Sequence, residues 1–223
     1  MKNLLLSAIV LSTTLYAKPS DLEKQGVVVE YNDGENKILV NRVKPKECSD
    51  IKFGVKNILG GNYASDELHE KCKRTYITHF GAISPIKFAD GVETYGELEV
   101  LEFMKKAKNG ESMLLVDSRT ENWYMHFTIP SAVNAPYTFL KKSQYPDEFD
   151  ELLEMFGVKI SGDKYDFSQS KTLLLFCNAV WCGQSPISMK ELIKIGYPKE
   201  KLKWYRAGIQ GWTSLGLPTV VPE

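Results

Sequence analysis

The chain has 223 residues, of which 43% are hydrophobic and 25% are charged, and its 28 basic residues balance its 28 acidic residues. These values are close to those of ordinary globular proteins and exclude a disordered chain. A balanced charge without a run of Lys or Arg also argues against nucleic-acid binding, because a protein that neutralises many phosphates carries a basic excess.

Residues 1–17 have the pattern of a secretory signal peptide. Lys2 precedes an apolar stretch from Leu4 to Val10, and Ala17 supplies a small residue at the end. The apolar stretch is too short to span a bilayer comfortably, so we expect cleavage after Ala17, with an uncleaved anchor as the alternative. No second apolar span follows in the sequence. The mature protein is therefore expected to lack a membrane span and to be periplasmic or secreted, where thiols can form disulfides.

Residues 18–91 predict a small β-rich module of unknown role. An Asn-Asp-Gly turn lies between two strand-like runs, Val27 to Tyr31 and Ile38 to Val43, which together predict a β-hairpin. The module is also predicted to contain a helix from Ser65 to Cys72 and a strand from Arg74 to Phe80.

The module contains two of the four cysteines, Cys48 and Cys72. A structural disulfide between them is expected in an oxidising compartment, where closing this loop stabilises the fold by on the order of 3 kcal/mol. A zinc site is not expected, because the four cysteines form two distant pairs and the histidines His69, His79 and His126 are scattered. The chain also lacks a Gly-rich dinucleotide or phosphate loop, so no organic cofactor is predicted.

Residues 92–223 alternate between predicted strands and helices, after a predicted linker from Gly81 to Gly91. The continuous apolar runs Met113 to Asp117 and Thr172 to Cys177 are typical of strands buried in a parallel sheet. Further elements are predicted as a strand from Lys203 to Tyr205 and helices from Leu98 to Ala107, Ser185 to Ile195 and Ile209 to Leu215. This alternation predicts an open parallel α/β sheet with helices on both faces.

Cys177 is the predicted catalytic residue. In an open parallel sheet the chemistry lies outside the carboxyl ends of the strands, and Cys177 stands there, before a loop that enters a helix. Backbone N–H groups and the positive end of the helix lower the pKa of a thiol in this position, and the thiolate is the nucleophile. The loop after it is the predicted substrate-binding loop and consists of Asn178, Ala179, Val180, Trp181, Gly183, Gln184 and Ser185.

Three segments in chain order resemble the rhodanese-like (sulfurtransferase) domain family, over about residues 92–221. Asp117-Ser118-Arg119 followed by Thr128-Ile129-Pro130-Ser131-Ala132 is similar to the family's Asp-x-Arg and His-Ile-Pro-Gly-Ala motifs. Cys177 stands where the family's persulfide-forming cysteine stands, and the segment from Arg206 to Pro218 resembles the carboxy-terminal Gly-Gly-x-x-x-Trp motif. The resemblance implies a rhodanese-like fold that carries sulfur as a persulfide on Cys177 and passes it to a thiol acceptor. The implied partner is a small sulfur compound or a protein thiol.

The loop departs from the family pattern in its charge. It contains no basic residue, and the first cation after Cys177 is Lys190. Because the related phosphatases need an Arg in this loop to bind phosphate, the sequence argues against phosphatase activity and against efficient use of thiosulfate, a small dianion. Anion binding would depend on loop N–H groups, with Gln184 and Ser185 as neutral donors. Thr128 also replaces the usual His of the family.

Cys182 is the second catalytic candidate, five residues after Cys177 in the same loop. It is interpreted as a resolving thiol that attacks a persulfide on Cys177 and releases sulfide. Two alternatives remain open at this point: a thiol-disulfide oxidoreductase with a reversible Cys177–Cys182 disulfide, and a catalytically inactive binding module in which that disulfide is structural. Asp117 and Arg119 are expected to support the loop through charge-assisted hydrogen bonds.

Overall fold

A computed structural model of the protein describes residues 20–21, 27–31, 36–40, 46–48, 51, 69, 72, 82–162 and 164–222. The predicted signal peptide lies outside the described residues. So do the strand predicted from Arg74 to Phe80 and, apart from His69 and Cys72, the helix predicted from Ser65 to Cys72. Within the described ranges, no helix has both the length and the apolar character that crossing a membrane requires.

The described strands are β1 (Ser20–Asp21), β2 (Val27–Tyr31), β3 (Asn36–Val40), β4 (Ala82–Ile83), β5 (Glu93–Tyr95), β6 (Met113–Asp117), β7 (Val133–Asn134), β8 (Lys159–Ser161), β9 (Lys164–Asp166), β10 (Thr172–Phe176) and β11 (Leu202–Tyr205). The α-helices are α1 (Glu97–Lys108), α2 (Glu121–Tyr124), α3 (Pro146–Met155), α4 (Gln184–Lys194) and α5 (Gly208–Ser214). Short 3-10 helices span Lys46–Cys48 and Lys199–Lys201.

The central sheet has five strands in the order β5-β11-β10-β6-β7, and every neighbouring pair is parallel. The two predicted apolar runs form β10 and β6, which are neighbours near the middle of the sheet. Because all strands are parallel, their carboxyl ends meet at one edge, and this edge carries the residues that follow β6 and β10. The predicted parallel α/β fold is confirmed.

Both faces of the sheet are buried, which explains the unbroken apolar sequence of β10. Leu173 and Leu175 belong to one core cluster, whereas Leu174 and Phe176 belong to a second cluster on the opposite face. Helices α3 and α4 supply side chains to the first cluster, and α1 and α5 supply side chains to the second. Successive residues of a strand point to opposite faces, so a strand covered on both sides must be apolar at every position.

The N-terminal module contains the predicted hairpin and the predicted disulfide. Strands β2 and β3 pair antiparallel, and Cys48 and Cys72 form a disulfide with a Cα–Cα distance of 5.6 Å. Residues 82–91, which belong to the predicted linker, pack against the rest of the protein instead of forming an exposed connection. Ser84, Phe88 and Ala89 are buried, β4 pairs antiparallel with β1, and Phe88 packs in the core of the sheet. The apolar side chains of Phe88 and Ala89 belong to the core cluster, which explains why this segment is buried.

Candidate active site

Cys177 lies at the carboxyl edge of the sheet, immediately after β10. Phe176 of β10 is in register with Asp117 of β6, so Cys177 stands beside the residues that follow β6. The loop of residues 177–183 then leads into α4. Cys177 is only 2% exposed, and it is a free thiol, as is Cys182. The predicted nucleophile is therefore held in a closed environment at the edge where parallel sheets place their chemistry.

A chain of two hydrogen bonds ends on the sulfur of Cys177. Trp204 Nε1 donates to Ser185 Oγ at 3.1 Å, and Ser185 Oγ donates to Cys177 Sγ at 3.2 Å. The indole N–H can only donate, so it occupies a lone pair of the Ser185 oxygen and leaves the hydroxyl proton to point at the sulfur. All three residues are buried. This arrangement gives the thiolate of Cys177 a fixed, buried donor.

Cys182 curls back to contact Cys177, and the two thiols have opposite pKa shifts. Burial raises the pKa of Cys177, but hydrogen bonds from the side chains of Cys182 and Ser185 and from the Ser185 backbone N–H outweigh burial and lower its pKa below the usual value. Burial raises the pKa of Cys182 well above the usual value, and the hydrogen bond to Cys177 and the charge of Cys177 add to this. Cys177 is therefore the first of the two thiols to ionise, while the shared proton stays on Cys182.

The start of α5 fixes the backbone of the loop. The N–H of Ile209 donates to the carbonyl of Cys177 at 3.0 Å, and the N–H of Gln210 donates to the carbonyl of Asn178 at 2.9 Å. Gly208 makes this approach possible, because it has φ +61° and a Cβ there would overlap the Cys177 carbonyl oxygen. Only glycine fits such a close contact in this conformation. The glycine after Ala207 thus positions the cysteine from a distant part of the chain.

A buried ion pair supports the same edge of the sheet. Arg119 donates to the carboxylate of Asp117 through Nε at 2.9 Å and through Nη2 at 2.6 Å. Thr128 Oγ1 donates to the same carboxylate at 2.8 Å, and Arg119 Nη1 reaches Asn178 Oδ1 at 3.5 Å. Both charged side chains are fully buried. Asp117 and Arg119 therefore tie β6 to the loop after Cys177. Neither side chain is hydrogen-bonded to the sulfur of Cys177 in the described structure, although the charge of Asp117 raises the pKa of Cys177.

The disulfide of the N-terminal module packs against the cysteine loop. Cys48 and Cys72 belong to the same buried cluster as the two free cysteines, and the other members are Trp123, Ala179, Trp181 and the flanking Ile51 and Val180. A backbone bond from the N–H of Ser84 to the carbonyl of Val180, at 2.9 Å, adds a further tie. The module thus forms part of the apolar surroundings of Cys177 and Cys182. Nothing in the sequence pointed to this contact between the two cysteine pairs.

A cavity of about 380 Å³ opens beside the loop, and we call it the donor cavity. Cys182 lies in its wall, whereas Cys177 contacts Cys182 and is not part of the wall. The other lining residues are Tyr137, Asn178, Trp181, Gly183, Gln184 and Ile187. A molecule in the cavity therefore meets the Cys182 thiol, and Cys177 lies in hydrogen-bonding contact with that thiol.

The structure distributes the predicted loop residues between two roles. Asn178, Trp181, Gly183 and Gln184 line the donor cavity, whereas Ala179 and Val180 pack in the cluster around the Cys48–Cys72 disulfide. Ser185 donates to the sulfur of Cys177, whereas the sequence predicted it as a neutral donor to a bound anion. Gln184 differs from the expectation, because its Oε1 faces the Cys182 thiol at 3.6 Å and is a second possible acceptor for the one S–H proton that Cys182 shares with Cys177.

Two residues that sequence reasoning missed are Trp204 and Gly208. Trp204 lies within β11 and is only 1% exposed, which in a sequence is the ordinary signal of a core aromatic. Gly208 lies within the Arg206 to Pro218 segment quoted for the family resemblance, so its motif was visible although its contact with the cysteine loop was not.

Removing the hydroxyl of Ser185 is expected to raise the pKa of Cys177. Ser185→Ala deletes one hydrogen bond that lowers this pKa. At a pH below the pKa of a thiol, raising that pKa lowers the fraction present as thiolate. We expect the midpoint of the thiolate ultraviolet absorbance to move to higher pH, and alkylation of Cys177 near neutral pH to slow by about threefold to tenfold. Trp204→Phe keeps the hydroxyl but removes the donor that orients it, so the pKa of Cys177 should rise in this variant too, by a smaller amount.

Ser188→Ala is the matched control for Ser185→Ala. Ser188 is a buried serine of the same helix, and its hydroxyl donates to the Gln184 carbonyl at 3.3 Å and to no sulfur. Its midpoint should equal that of the unchanged protein. An unchanged midpoint in Ser185→Ala would show that the hydroxyl does not stabilise the thiolate.

Comparison with protein families gives one match. The model of the family described as Rhodanese-like domain matches residues 100–215. No curated protein matches the chain.

Three of the solved structures that are similar to the chain illustrate the low sequence identity of these matches. A thiosulfate sulfurtransferase from Pseudomonas aeruginosa is 16% identical with a TM-score of 0.38, and the match covers 58% of this chain and 20% of that protein. A rhodanese-related protein from Thermoplasma volcanium is 17% identical with a TM-score of 0.36, over 56% of this chain and 94% of that one. A Rhodanese_3-like domain from Anabaena is 16% identical with a TM-score of 0.34, over 48% of this chain and 98% of that one.

Proposed function

The chain belongs to the rhodanese-like domain family, and from this premise we propose that it is a sulfurtransferase that carries sulfane sulfur as a persulfide on Cys177. The observation that supports the proposal is the pairing of a lowered pKa at Cys177 with a fixed donor, the Ser185 hydroxyl, at 3.2 Å from its sulfur. A nucleophilic thiol needs both an available thiolate and an oriented surrounding.

The proposed reaction has two halves. In the first, the Cys177 thiolate attacks the outer sulfur of a sulfane donor, the bond between that sulfur and the rest of the donor breaks, and the remainder leaves with the electron pair. Cys177 then holds a persulfide. In the second half, an acceptor thiolate attacks the outer sulfur of the persulfide, and the Cys177 thiolate leaves. The acceptor gains one sulfur atom and Cys177 returns to its starting state.

Cys182 is proposed as the resolving thiol. Its sulfur already contacts Cys177, and it holds the proton of the pair because its pKa is raised. When Cys182 Sγ attacks Cys177 Sγ of the persulfide, the persulfide S–S bond breaks and the outer sulfur leaves with the electron pair. It takes up the Cys182 proton and departs as hydrogen sulfide, and a Cys177–Cys182 disulfide remains. Atoms and electrons balance without a further reactant, and a dithiol reductant then restores the two thiols.

The persulfide and its resolution can be tested by intact-mass spectrometry of the alkylated protein after treatment with polysulfide. In Cys182→Ser we expect one added sulfur atom that persists. In the unchanged protein we expect the same species to be short-lived and to end as a disulfide that has lost two hydrogens. Equal persistence in both proteins would contradict a resolving role for Cys182, and the absence of added sulfur in both would contradict the proposed function.

A thiol-disulfide oxidoreductase is the second candidate function. The contact between Cys177 and Cys182 and their opposite pKa shifts favour it, because a dithiol of this kind can open and close as a disulfide. This candidate predicts that the Cys177–Cys182 disulfide exchanges with a partner dithiol and that the protein takes up no sulfur atom. The mass measurement separates the two candidates, since only the sulfurtransferase gains a sulfur atom.

Export is a further part of the proposal. The pattern of residues 1–17 supports a cleaved signal peptide, and the Cys48–Cys72 disulfide is of the kind that persists outside the cytoplasm. Fractionation of cells that produce the full chain, with N-terminal sequencing of the product, tests both export and cleavage after Ala17.

A further inference from the structure

We propose that the sulfur donor is an organic sulfane-sulfur compound whose apolar group occupies the donor cavity, and that small inorganic dianions are poor donors. This inference rests on the proposed function and names the substrate class of the same site. It follows from three properties of the cavity: its position, the chemistry of its wall and the partners of the surrounding cations.

The position of the donor cavity suits delivery of sulfur to the cysteine pair. Cys182 lies in the wall, and Cys177 is in hydrogen-bonding contact with Cys182. The volume of about 380 Å³ lies within the range of about 300–1,000 Å³ found for small-molecule sites. A donor held here borders Cys182, one hydrogen-bonding contact away from Cys177.

The wall of the donor cavity is aromatic, aliphatic or neutral. Trp181 and Tyr137 contribute rings and Ile187 contributes an aliphatic side chain, and the lining contains no charged residue among the described residues. Sulfur packs favourably against aromatic rings, and an apolar group gains by leaving water for such a wall. The cavity therefore favours a donor in which the sulfane sulfur is attached to an apolar group.

The described cations near the loop do not line the donor cavity. Arg119 is buried against Asp117, and Arg206 Nε donates to the Ser84 carbonyl at 2.8 Å. Lys190 is not in the wall of the donor cavity but lines an adjoining cavity, which shares Gly183 and Ile187 with it. A dianion that enters the donor cavity would lose its hydration without gaining a countercharge, which is a large cost in a low-dielectric site. Thiosulfate is therefore disfavoured in the binding step that precedes attack.

Two sulfonyl donors separate the binding step from the chemistry. The Cys177 thiolate attacks the outer sulfur of benzenethiosulfonate, the bond from this sulfur to the sulfonyl sulfur breaks, and benzenesulfinate leaves with the electron pair. With thiosulfate the same bond breaks and sulfite leaves. Each reaction transfers one sulfur atom to Cys177, but the donors differ in the apolar ring and in the second negative charge.

The test compares the kcat/KM of the full mature chain for these donors, with cyanide as acceptor and thiocyanate as product. Their ratio is divided by the corresponding ratio for a small free thiol, so that leaving-group reactivity cancels. We expect the corrected ratio to favour benzenethiosulfonate by about tenfold or more, the factor that corresponds to 1.4 kcal/mol. A corrected ratio near one, with sulfur still loaded on Cys177, would overturn the inference and leave the proposed function standing. If neither donor loads Cys177, both fail.

A matched pair of variants tests whether the donor cavity is where the protein discriminates between the two sulfur donors. Ile187 is half-buried in the wall, so Ile187→Lys adds a cation there and Ile187→Met adds a side chain of similar length without charge. We expect kcat/KM for thiosulfate to be about tenfold higher in the Lys variant than in the Met variant, without a matching gain for benzenethiosulfonate. Equal values for thiosulfate in the two variants would show that donors do not bind in this cavity.

Discussion

Cys177→Ser is expected to lower the rate of sulfur transfer by on the order of 10³-fold or more, because the group that forms the covalent bond is removed. A serine hydroxyl stays protonated near neutral pH, and an oxygen in this position cannot hold a persulfide. The thiolate that Cys182 and Ser185 stabilise has no equivalent in the variant. The measurement is the rate of thiocyanate formation from a sulfane donor and cyanide.

The control for Cys177→Ser is Ser188→Ala, which removes a buried polar group from the helix that follows the loop. Ser188 makes a hydrogen bond to the Gln184 carbonyl and no hydrogen bond to sulfur, so its variant should keep the rate of the unchanged protein within about threefold. Circular dichroism of each variant reports folding. A folded Cys177→Ser protein that retained a tenth of the rate would contradict the assignment of Cys177 as the nucleophile.

Arg119→Met is expected to lower the free energy of unfolding by about 3–5 kcal/mol. The substitution leaves the carboxylate of Asp117 buried without its cation. Its remaining donors are the hydroxyl of Thr128 and the backbone N–H of residue 119. The substitution also leaves the carbonyl of Phe127 without the donor Nη2 at 2.5 Å. Urea unfolding monitored by tryptophan fluorescence measures the change.

A double variant shows whether the uncompensated charge causes this loss. Adding Asp117→Asn to Arg119→Met removes the charge while keeping most of the volume, so the double variant should be more stable than Arg119→Met alone. The folded fraction of both should still take up sulfur at Cys177, because neither side chain contacts its sulfur through a hydrogen bond in the described structure. If the double variant were the less stable protein, the ion pair would not be the source of the loss.

The strands of the sheet that are buried on both faces could be predicted from their apolar sequences. β6 and β10 lie between helices on both faces, so their sequences are continuously apolar and predict parallel strands. β5 reads Glu93-Thr94-Tyr95 and pairs on one side only, with β11. An edge strand of three residues with a polar start carries no pattern that separates it from a loop, so it could not be predicted from the sequence.

The site could be predicted as far as its local sequence extends. Cys177 and Cys182 share one loop, and the position of that loop after a buried strand indicated a reactive thiol. The contacts that tune the thiol come from distant segments: Trp204 reaches Ser185 across the start of α4, and Gly208 lets α5 hold the Cys177 carbonyl. Such contacts depend on which strands and helices become neighbours in the fold. No residue spacing in a single sequence predicts them.

In the N-terminal module, the disulfide could be predicted from the sequence but its packing partners could not. Two cysteines in a small module predict a disulfide, and Cys48 and Cys72 form it. The packing of this disulfide against Trp181 and the two free cysteines is a tertiary contact between residues more than a hundred positions apart. No periodicity or motif connects them in the sequence.

Sulfur carriage by Cys177 is tested by peptide mass spectrometry of the alkylated Cys182→Ser protein after treatment with a sulfane donor. Digestion separates the peptide that contains Cys177 from the peptides that contain Cys48 and Cys72, so the added sulfur can be located. We predict one extra sulfur atom on Cys177 and none on the other cysteines. Sulfur found elsewhere, or a Cys177 thiol that reacts with the alkylating agent but never gains sulfur, would contradict the proposal that this residue carries sulfur.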